Sequence, residues 1–189
     1  ASQHASRTAV RAAEQAMQRL AFEDGAAWFG RALGFLDVAA PGDARGRGEL
    51  LLRLAEAQLH AGARDAALSA CTKAADLARH LGLGELLARA ALTLGGEART
   101  GVSDSALVAM LDEARAALPQ ADTPLRARVL ARLAGALQPA LDPAPPMALA
   151  REAIAMARRL DDRSTLLDVL HAANAALIDY APVEEQIAL

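Results

Sequence analysis

The sequence predicts an all-α fold, and three observations support that prediction. The composition is 53% apolar but only 3% aromatic. Ala and Leu supply most of the difference, and they suit close-packed helices better than sheets, which favour Val, Ile, Thr and aromatic residues. Apolar residues recur at three- and four-residue steps along most of the chain. Short breaks rich in glycine and proline separate these amphipathic segments.

The stretch 49–81 shows the pattern most clearly, because it predicts two amphipathic helices folded back on each other. The apolar face of the first helix carries Leu50, Leu51, Leu54, Ala55, Gln58 and Leu59. Gly62 then interrupts the pattern, as a C-cap with positive φ requires, and Gly82 ends the second helix. The face of that second helix carries Ala67, Leu68, Cys71, Ala74, Ala75, Ala78 and Leu81.

The same reading predicts hairpins over about 7–37, 48–81, 84–118 and 124–160, followed by one extra helix over 164–178. The first hairpin has helices over 7–20 and 23–36, and a breaker-rich connection follows over 37–48. The third hairpin has helices over 85–99 and 104–118, the latter capped by Ser103. Thr123 and Pro124 open a helix over 125–137, and the next helix covers 147–160. The stretch 183–189 predicts the start of a further helix, so we expect a fragment of a larger protein with apolar surface exposed at this end.

Internal repetition supports the hairpins. An alanine near the middle of each second helix falls at Ala32, Ala74, Ala114 and Ala153, so the copies follow one another at nearly even intervals. The pattern Ala-x-x-x-Ala-Arg-x-Leu that starts at Ala74 recurs at Ala153, two of these intervals later. Hairpins that repeat in this way bury their apolar faces by stacking on one another.

The spacing of large and small residues resembles that of the tetratricopeptide repeat. The positions that carry the resemblance are Leu51, Leu54, Ala55, Gly62, Ala67, Cys71 and Ala74. The segments LLRLAEAQLHAG, ALSACTKAADLARHLG, LLARAALTLGG and REAIAMARRLDD are similar to the repeat arrays of large bacterial signal-transduction ATPases. These include LuxR-type regulators that resemble the maltose-regulon activator, and relatives with cyclase or kinase domains. The resemblance implies a right-handed superhelical solenoid over 1–189 that binds an inducer or a protein partner and regulates an attached ATPase.

Composition and motifs point away from several classes of function. The net charge of −3 is small and both signs are interspersed, so we expect neither nucleic acid nor an anionic membrane as a partner. No phosphate-binding loop or metal-binding histidine pattern is present, and Cys71 lies on an apolar helix face, which is typical of an inert buried thiol. We therefore expect no enzyme activity and no cofactor. A cytoplasmic location is the default expectation.

The candidate binding face is the concave one, to which the first helix of each hairpin contributes. Its charged or polar residues are Glu49, Arg53, Glu56, Glu85, Arg89, Arg128, Arg132, Asp168 and His171. One interpretation is a solvated surface with weak ion pairs. The other is a groove whose arginines clasp the carboxylates or phosphates of a ligand. Trp28 either stacks on a ligand or packs into the core beside Phe29.

The functional prediction is a non-catalytic interaction module, the regulatory repeat region of a bacterial signalling ATPase or transcriptional regulator. The alternative is a stand-alone scaffold that binds a peptide segment of another protein. The predicted partner is a protein, a peptide or a small inducer, with a homodimer through the exposed end helices as a further prediction.

Overall fold

The computed structural model describes residues 2–96 and 104–187, except for the side chain of Glu185, and every regular element in these ranges is a helix. The all-α prediction is therefore confirmed for the described part of the chain. Its ten helices are α1 (Ser2–Gln18), α2 (Phe22–Ala39), α3 (Ala44–His60), α4 (Arg64–Leu81), α5 (Gly84–Gly95), α6 (Ser105–Ala117), α7 (Pro124–Ala136), α8 (Ala144–Leu160), α9 (Arg163–Leu177) and α10 (Val183–Ile187). The chain divides into two compact units, Ala1–Thr93 and Leu94–Leu189.

In the first unit, α1 and α2 form an antiparallel pair. The Ser6 hydroxyl donates a hydrogen bond to the Ala32 carbonyl at 3.1 Å, so the start of α1 lies beside the later part of α2. At the other end, a Cβ on Gly25 would lie 2.7 Å from the sulfur of Met17. Glycine at this position therefore lets the two helices approach closely. In addition, α2 packs against α3 and α3 against α4.

The breaker-rich connection predicted over 37–48 is shorter than expected, because α2 ends at Ala39 and α3 already begins at Ala44. The carboxylate of Asp43 caps α3 by accepting a hydrogen bond from the Gly46 amide at 2.8 Å. A Cβ on Gly48 would lie 2.6 Å from Cδ2 of Leu86 on α5. Both glycines thus lie inside the helix, where they leave room for close neighbours.

The predicted glycine stops are present at both ends of α4. Gly62, in the turn between α3 and α4, has φ of 76°, and Gly82 after α4 has φ of 64°. Left-handed backbone of this kind strains residues that carry a Cβ, which explains the use of glycine. The first unit's core is rich in alanine, and its fully enclosed residues include Ala13, Ala32, Ala55, Ala57, Ala67, Cys71, Ala74 and Ala75.

Three leucines that were expected on buried faces are exposed. Leu20 lies in the turn after α1 with φ of 60°, which directs it away from the helix face that its spacing predicted. Leu68 lies one turn into α4, and Leu81 is the last residue of that helix. Leu20 and Leu81 lie at helix ends, where fewer neighbouring turns cover a side chain, so an apolar periodicity overestimates burial there. Leu68 lies on the exposed side of α4.

In the second unit, α6 begins one residue later than predicted, with Asp104 as its cap. Its carboxylate accepts hydrogen bonds from the amides of Ala106 and Leu107 at 3.0 and 3.1 Å. The predicted cap Ser103 lies outside the described residues. The helix predicted over 85–99 ends at Gly95, and the end of that prediction, 97–99, also lies outside them.

The cap of α7 is confirmed, since the Thr123 hydroxyl accepts a hydrogen bond from the Arg126 amide at 3.2 Å and Pro124 occupies the first turn. α8 begins three residues before its predicted start, with prolines in its first turn, where a missing N–H costs nothing. α7 packs against α6, α8 and α9. A core of mostly alanine residues from α7, α8 and α9 surrounds Leu130, Val169 and Leu177.

At the C-terminal end, α9, α10 and the turn between them expose apolar side chains, as expected from the sequence. These are Leu167, Ile178, Tyr180, Val183 and Ile187. The side-chain amide of Gln186 donates hydrogen bonds to the Ile178 and Ala181 carbonyls and so holds α10 against the end of α9. Dimerisation through this surface stays a prediction. None of the helices in the described ranges combines the length and the apolar character that crossing a bilayer requires.

Candidate functional site

In the first unit, the candidate residues on successive first helices pair with one another. Arg89 on α5 donates to Glu49 on α3 at 2.6 Å. Arg53 on α3 donates to Glu14 on α1 at 2.7 Å. The partners are 40 and 39 residues apart, one repeat in each case. Together with the contact between Gly48 and Leu86, this shows that α3 and α5 lie side by side in register.

The second unit repeats this arrangement with the charges exchanged. Arg128 on α7 donates from Nε to Asp168 on α9 at 2.9 Å, again across 40 residues. The offset from Glu49 to Arg128 equals the offset from Arg89 to Asp168, and both equal two repeats. One position of the repeat therefore forms an ion pair between successive first helices in both units, although the acid and the base have changed places.

These ion pairs contribute little to stability. Their side chains keep between 32% and 56% of their surface exposed. Exposed pairs of this kind contribute about 0–1 kcal/mol, because water and salt screen the attraction and the long side chains lose freedom. The sequence-based interpretation of a solvated surface with weak ion pairs thus describes Arg53, Arg89 and Arg128 well.

Arg132 differs from the other arginines of this face. It lies on α7 one turn after Arg128, its side chain is half-buried, and its Nε atom is enclosed without a hydrogen-bond acceptor among the described residues. Burial lowers the pKa of its guanidinium, and the charge of Asp168 acts in the opposite direction. An enclosed donor without a partner costs about 1–3 kcal/mol, and more when the group is charged.

The charge of Arg132 is compensated only in part. The nearest carboxylate in electrostatic terms is Asp168, which accepts a hydrogen bond from Arg128 but none from the Nε atom of Arg132. Farther along the contact of α7 with α9, a Cβ on Gly135 would lie 2.9 Å from the Ala172 carbonyl, so the two backbones are very close there. A Cβ on Gly95 would lie 2.9 Å from Cγ of Arg132, so this glycine makes room for the arginine stem.

The remaining candidates, Glu56, Glu85 and His171, lie exposed on the surface of their helices. Glu56 nevertheless affects Cys71, because its negative charge adds to the effect of burial on the thiol. Together they raise the pKa of Cys71 to about 11, with burial the larger cause. The reactive form of cysteine is the thiolate, so this side chain is inert near neutral pH.

The two neighbouring aromatic residues of α2 have different environments. Phe29 is buried in the core of the first unit, whereas Trp28 keeps 36% of its surface exposed. The guanidinium of Arg31 lies over the Trp28 ring, 4.5 Å from its centre, which is a favourable cation–π contact. Trp28 therefore belongs to the surface of the protein and not to its core.

Sequence reasoning did not identify Arg126, which is 5% exposed at the start of α7. Its guanidinium donates to the carbonyls of Arg115 and Pro119 and to the side chain of Gln120. These acceptors lie at or after the end of α6, where helix carbonyls have no partner within the helix. An arginine in a helical pattern is usually exposed, so the sequence held no signal for this role.

A bidentate ion pair was also missed. Arg159 near the end of α8 donates from Nε and Nη2 to the Asp122 carboxylate at 2.6 and 3.1 Å. The hydrogen bond lowers the pKa of Asp122 below its ordinary range. Since Asp122 precedes α7, the pair joins the start of one helix to the end of the next. This is the antiparallel arrangement that the short connection between α7 and α8 requires.

In the described ranges, no group of three or more His, Cys, Asp and Glu side chains is placed to hold a metal ion. His60 stacks on Phe22, with 4.8 Å between ring centres. The assembled features are ion pairs between neighbouring helices and one guanidinium with an unsatisfied donor.

Comparison with models of known protein families found no match for this chain, and comparison with curated proteins found none either.

Proposed function

We propose that this chain is a non-catalytic recognition module built from tetratricopeptide-like hairpins that stack as a solenoid. The observation that supports it best is the repeated position of charged side chains on successive first helices, at a period of 39 to 40 residues. Within each unit this period places neighbouring first helices in register. A surface that repeats in this way presents evenly spaced charged groups to an extended ligand.

Arg132 strengthens the proposal of binding. The other arginines of this face are matched by carboxylates of the chain itself, whereas Arg132 carries an enclosed donor that no described residue accepts. Keeping such a group lowers stability, and costs of this kind are concentrated at functional sites. The ligand we propose is a segment of a partner protein or a small inducer.

On this proposal, the module belongs to a bacterial signalling ATPase or a LuxR-type transcriptional regulator, and its repeats sense the signal. The resemblance of the repeat segments to those arrays supports it. The alternative is a stand-alone adaptor that binds a peptide of another protein. The native gene distinguishes them, since the first reading requires a nucleotide-binding loop and an output domain in the same polypeptide.

The experiment uses the full chain as bait in an extract of its source organism, followed by calorimetric titration with the purified partner. Arg89→Ala and Arg132→Ala are each compared with Arg115→Ala, which removes the same charge from an exposed pair with Asp112 on α6. We expect binding to weaken about tenfold for at least one first-helix variant, the range for a charge-assisted hydrogen bond. The control variant should bind as the wild type does.

Thermal denaturation of the same variants separates binding from folding. Because the pair of Arg89 is exposed, its loss should change the melting temperature by no more than a few degrees. Unaltered binding in both Arg89→Ala and Arg132→Ala would refute the proposal that these faces recognise the partner.

A further inference from the structure

The exposed side of α2 carries a stripe of residues that recur at alternating steps of four and three along the helix. These residues, the α2 stripe, are Asp24, Trp28, Arg31, Phe35 and Val38. Such spacing places side chains on one continuous line of a helix surface. We propose that a second copy of this chain docks on the α2 stripe, so that two α2 helices pair in antiparallel directions about a two-fold axis. This self-association goes beyond the proposed function, which concerns recognition of a partner.

α2 is apolar on two sides, although the structure covers only one of them. Its inner side includes Phe29 and Ala32, which are buried in the core of the first unit. Its outer side exposes Trp28, Phe35 and Val38. All three phenylalanines and the single tryptophan of the chain lie on this helix. Helices that are apolar all round are usually buried, and aromatic residues are enriched where proteins contact each other. The α2 stripe therefore has the composition of an interface.

The charges of the α2 stripe indicate what occupies it. The stripe has one acid, Asp24, and one base, Arg31, seven residues apart. Seven residues span about 10 Å of helix, so the two cannot pair with each other. Neither has a hydrogen bond or an ion pair within the described part of the chain. An antiparallel second copy reverses the order of the two charges, so Asp24 of each copy lies opposite Arg31 of the other.

The apolar residues select the same register. In an antiparallel pair, two residues that face each other are equally far from the two-fold axis. The midpoint of Asp24 and Arg31 falls between positions 27 and 28, and the midpoint of Leu20 and Phe35 falls at the same place. Leu20, in the turn before α2, is 72% exposed, and in this register it covers Phe35 of the other copy. The axis also brings the two Trp28 rings together.

Arg31 is already positioned for the contact. Its guanidinium lies over the Trp28 ring, 4.5 Å from the ring centre. Stacking occupies the face of the guanidinium and leaves the N–H groups at its edge available to a carboxylate in the same plane. The side chain has thus lost part of its freedom before association, which lowers the entropic cost of forming the pair.

The size of the surface predicts a weak dimer. α2 has 18 residues, so the helix is about 27 Å long. One helix pair of this length buries less than the roughly 1,200 Å² at which stable, specific interfaces begin. We therefore expect a dissociation constant of about 10–100 µM and a monomer at much lower concentrations.

The first test is sedimentation equilibrium of the full chain between about 1 and 300 µM, a range that brackets the expected dissociation constant. Fluorescence of Trp28 over the same range should move to shorter wavelength along the same isotherm, because the two rings lie at the axis. Phe35→Ser should weaken the dimer at least about tenfold. Ile187→Ser is the matched control, since it removes an exposed apolar side chain from α10 and should leave the dimer unchanged.

Exchange of the two charges tests the pairing itself. Asp24→Arg alone places like charges opposite each other twice in one dimer, and Arg31→Glu alone does the same with acids. Each variant should dimerise at least about tenfold more weakly than wild type. In an equimolar mixture, both attractions are restored in the heterodimer, so the mixture should associate nearly as tightly as wild type. A folding defect in either variant would not be repaired by mixing.

The proposal fails if the wild type stays monomeric at about 300 µM. It also fails if Trp28 emission changes only when a captured partner is added, because the α2 stripe would then belong to that partner. A dimer that Ile187→Ser weakens and Phe35→Ser does not would lie at the C-terminal end, which overturns the proposal. Failure of the mixed charge variants to associate overturns the antiparallel pairing. None of these results affects the proposed function, which Arg89→Ala and Arg132→Ala test.

Discussion

The close approach of α7 to α9 at Gly135 leads to a quantitative prediction for Gly135→Ala. The added Cβ would lie 2.9 Å from the Ala172 carbonyl oxygen and 3.4 Å from Cβ of Ala175. The first distance is about 0.5 Å shorter than an ordinary van der Waals contact. Because that oxygen belongs to the backbone of α9, relief requires a shift of the whole helix. Overpacking of this kind costs about 1–3 kcal/mol.

Two effects oppose each other in this variant. Alanine is better than glycine in a helix by about 1 kcal/mol, although Gly135 lies one residue before the end of α7, where the gain is smaller. We therefore expect a net loss of about 1 kcal/mol. Gly30→Ala is the matched control, because a Cβ there meets nothing within 4 Å and the position is exposed within α2. That variant should gain about 0.5–1 kcal/mol.

The measurement is unfolding by urea at neutral pH. Circular dichroism follows the helices of the whole chain, and fluorescence of the single tryptophan, Trp28, reports on the first unit alone. The free energies of unfolding of the two variants should differ by about 2 kcal/mol, with opposite signs relative to wild type. If Gly135→Ala stabilised the protein as much as Gly30→Ala, α7 and α9 would not be in such close contact.

Three further predictions concern the helix pairs. Ala74→Leu, at a fully buried position of α4, should destabilise by about 1–3 kcal/mol in urea unfolding, whereas Leu68→Ala on the exposed side of α4 should change stability by less than about 0.5 kcal/mol. The Cys71 thiol, with its pKa raised to about 11, should react with iodoacetamide at pH 8 only as fast as the first unit unfolds. Rapid labelling in the absence of urea would contradict its burial. Asp122→Asn should lower the urea midpoint at neutral pH and lower it less at about pH 2. The reason is that a carboxylate with a depressed pKa stabilises the fold above its unfolded pKa and loses that effect as the pH falls through its folded pKa. An equal loss at both pH values would assign the effect to packing.

Helix caps and helix-ending turns were predicted well because they depend on residues that are close in sequence. The Thr123 cap, the proline that follows it and the left-handed glycines at 62 and 82 all act within one turn of the chain. The glycines at 46 and 48 led to the wrong prediction that the connection extends to residue 48, because they are close in sequence to a turn. The contacts that require these glycines involve the Asp43 side chain and Leu86 on another helix.

The pairing of the candidate charges was not predicted. The sequence placed Glu49, Arg89, Arg128 and Asp168 on one candidate face, and the structure joins Glu49 to Arg89 and Arg128 to Asp168. The acid that pairs with Arg53, Glu14, was not predicted, because the candidate residues were taken only from the second hairpin onward, whereas Glu14 lies in the first. Whether a side chain has a partner depends on three-dimensional distances. Periodicity therefore could not separate Arg132 from its paired neighbours.

The exchange of charges between the units bears on how such similar helices avoid incorrect pairing. In the native pairs, Glu49 meets Arg89 and Arg128 meets Asp168. If α3 met α9 through these same positions, two acids, Glu49 and Asp168, would face each other. Each native pair is worth little by itself. Such an exchange would lose two attractions and gain one repulsion, so the difference between correct and incorrect pairing is larger than the stability that either pair supplies. Internal repetition makes such exchanges geometrically easy, and the reversed polarity opposes this one without any change in the alanine-rich cores.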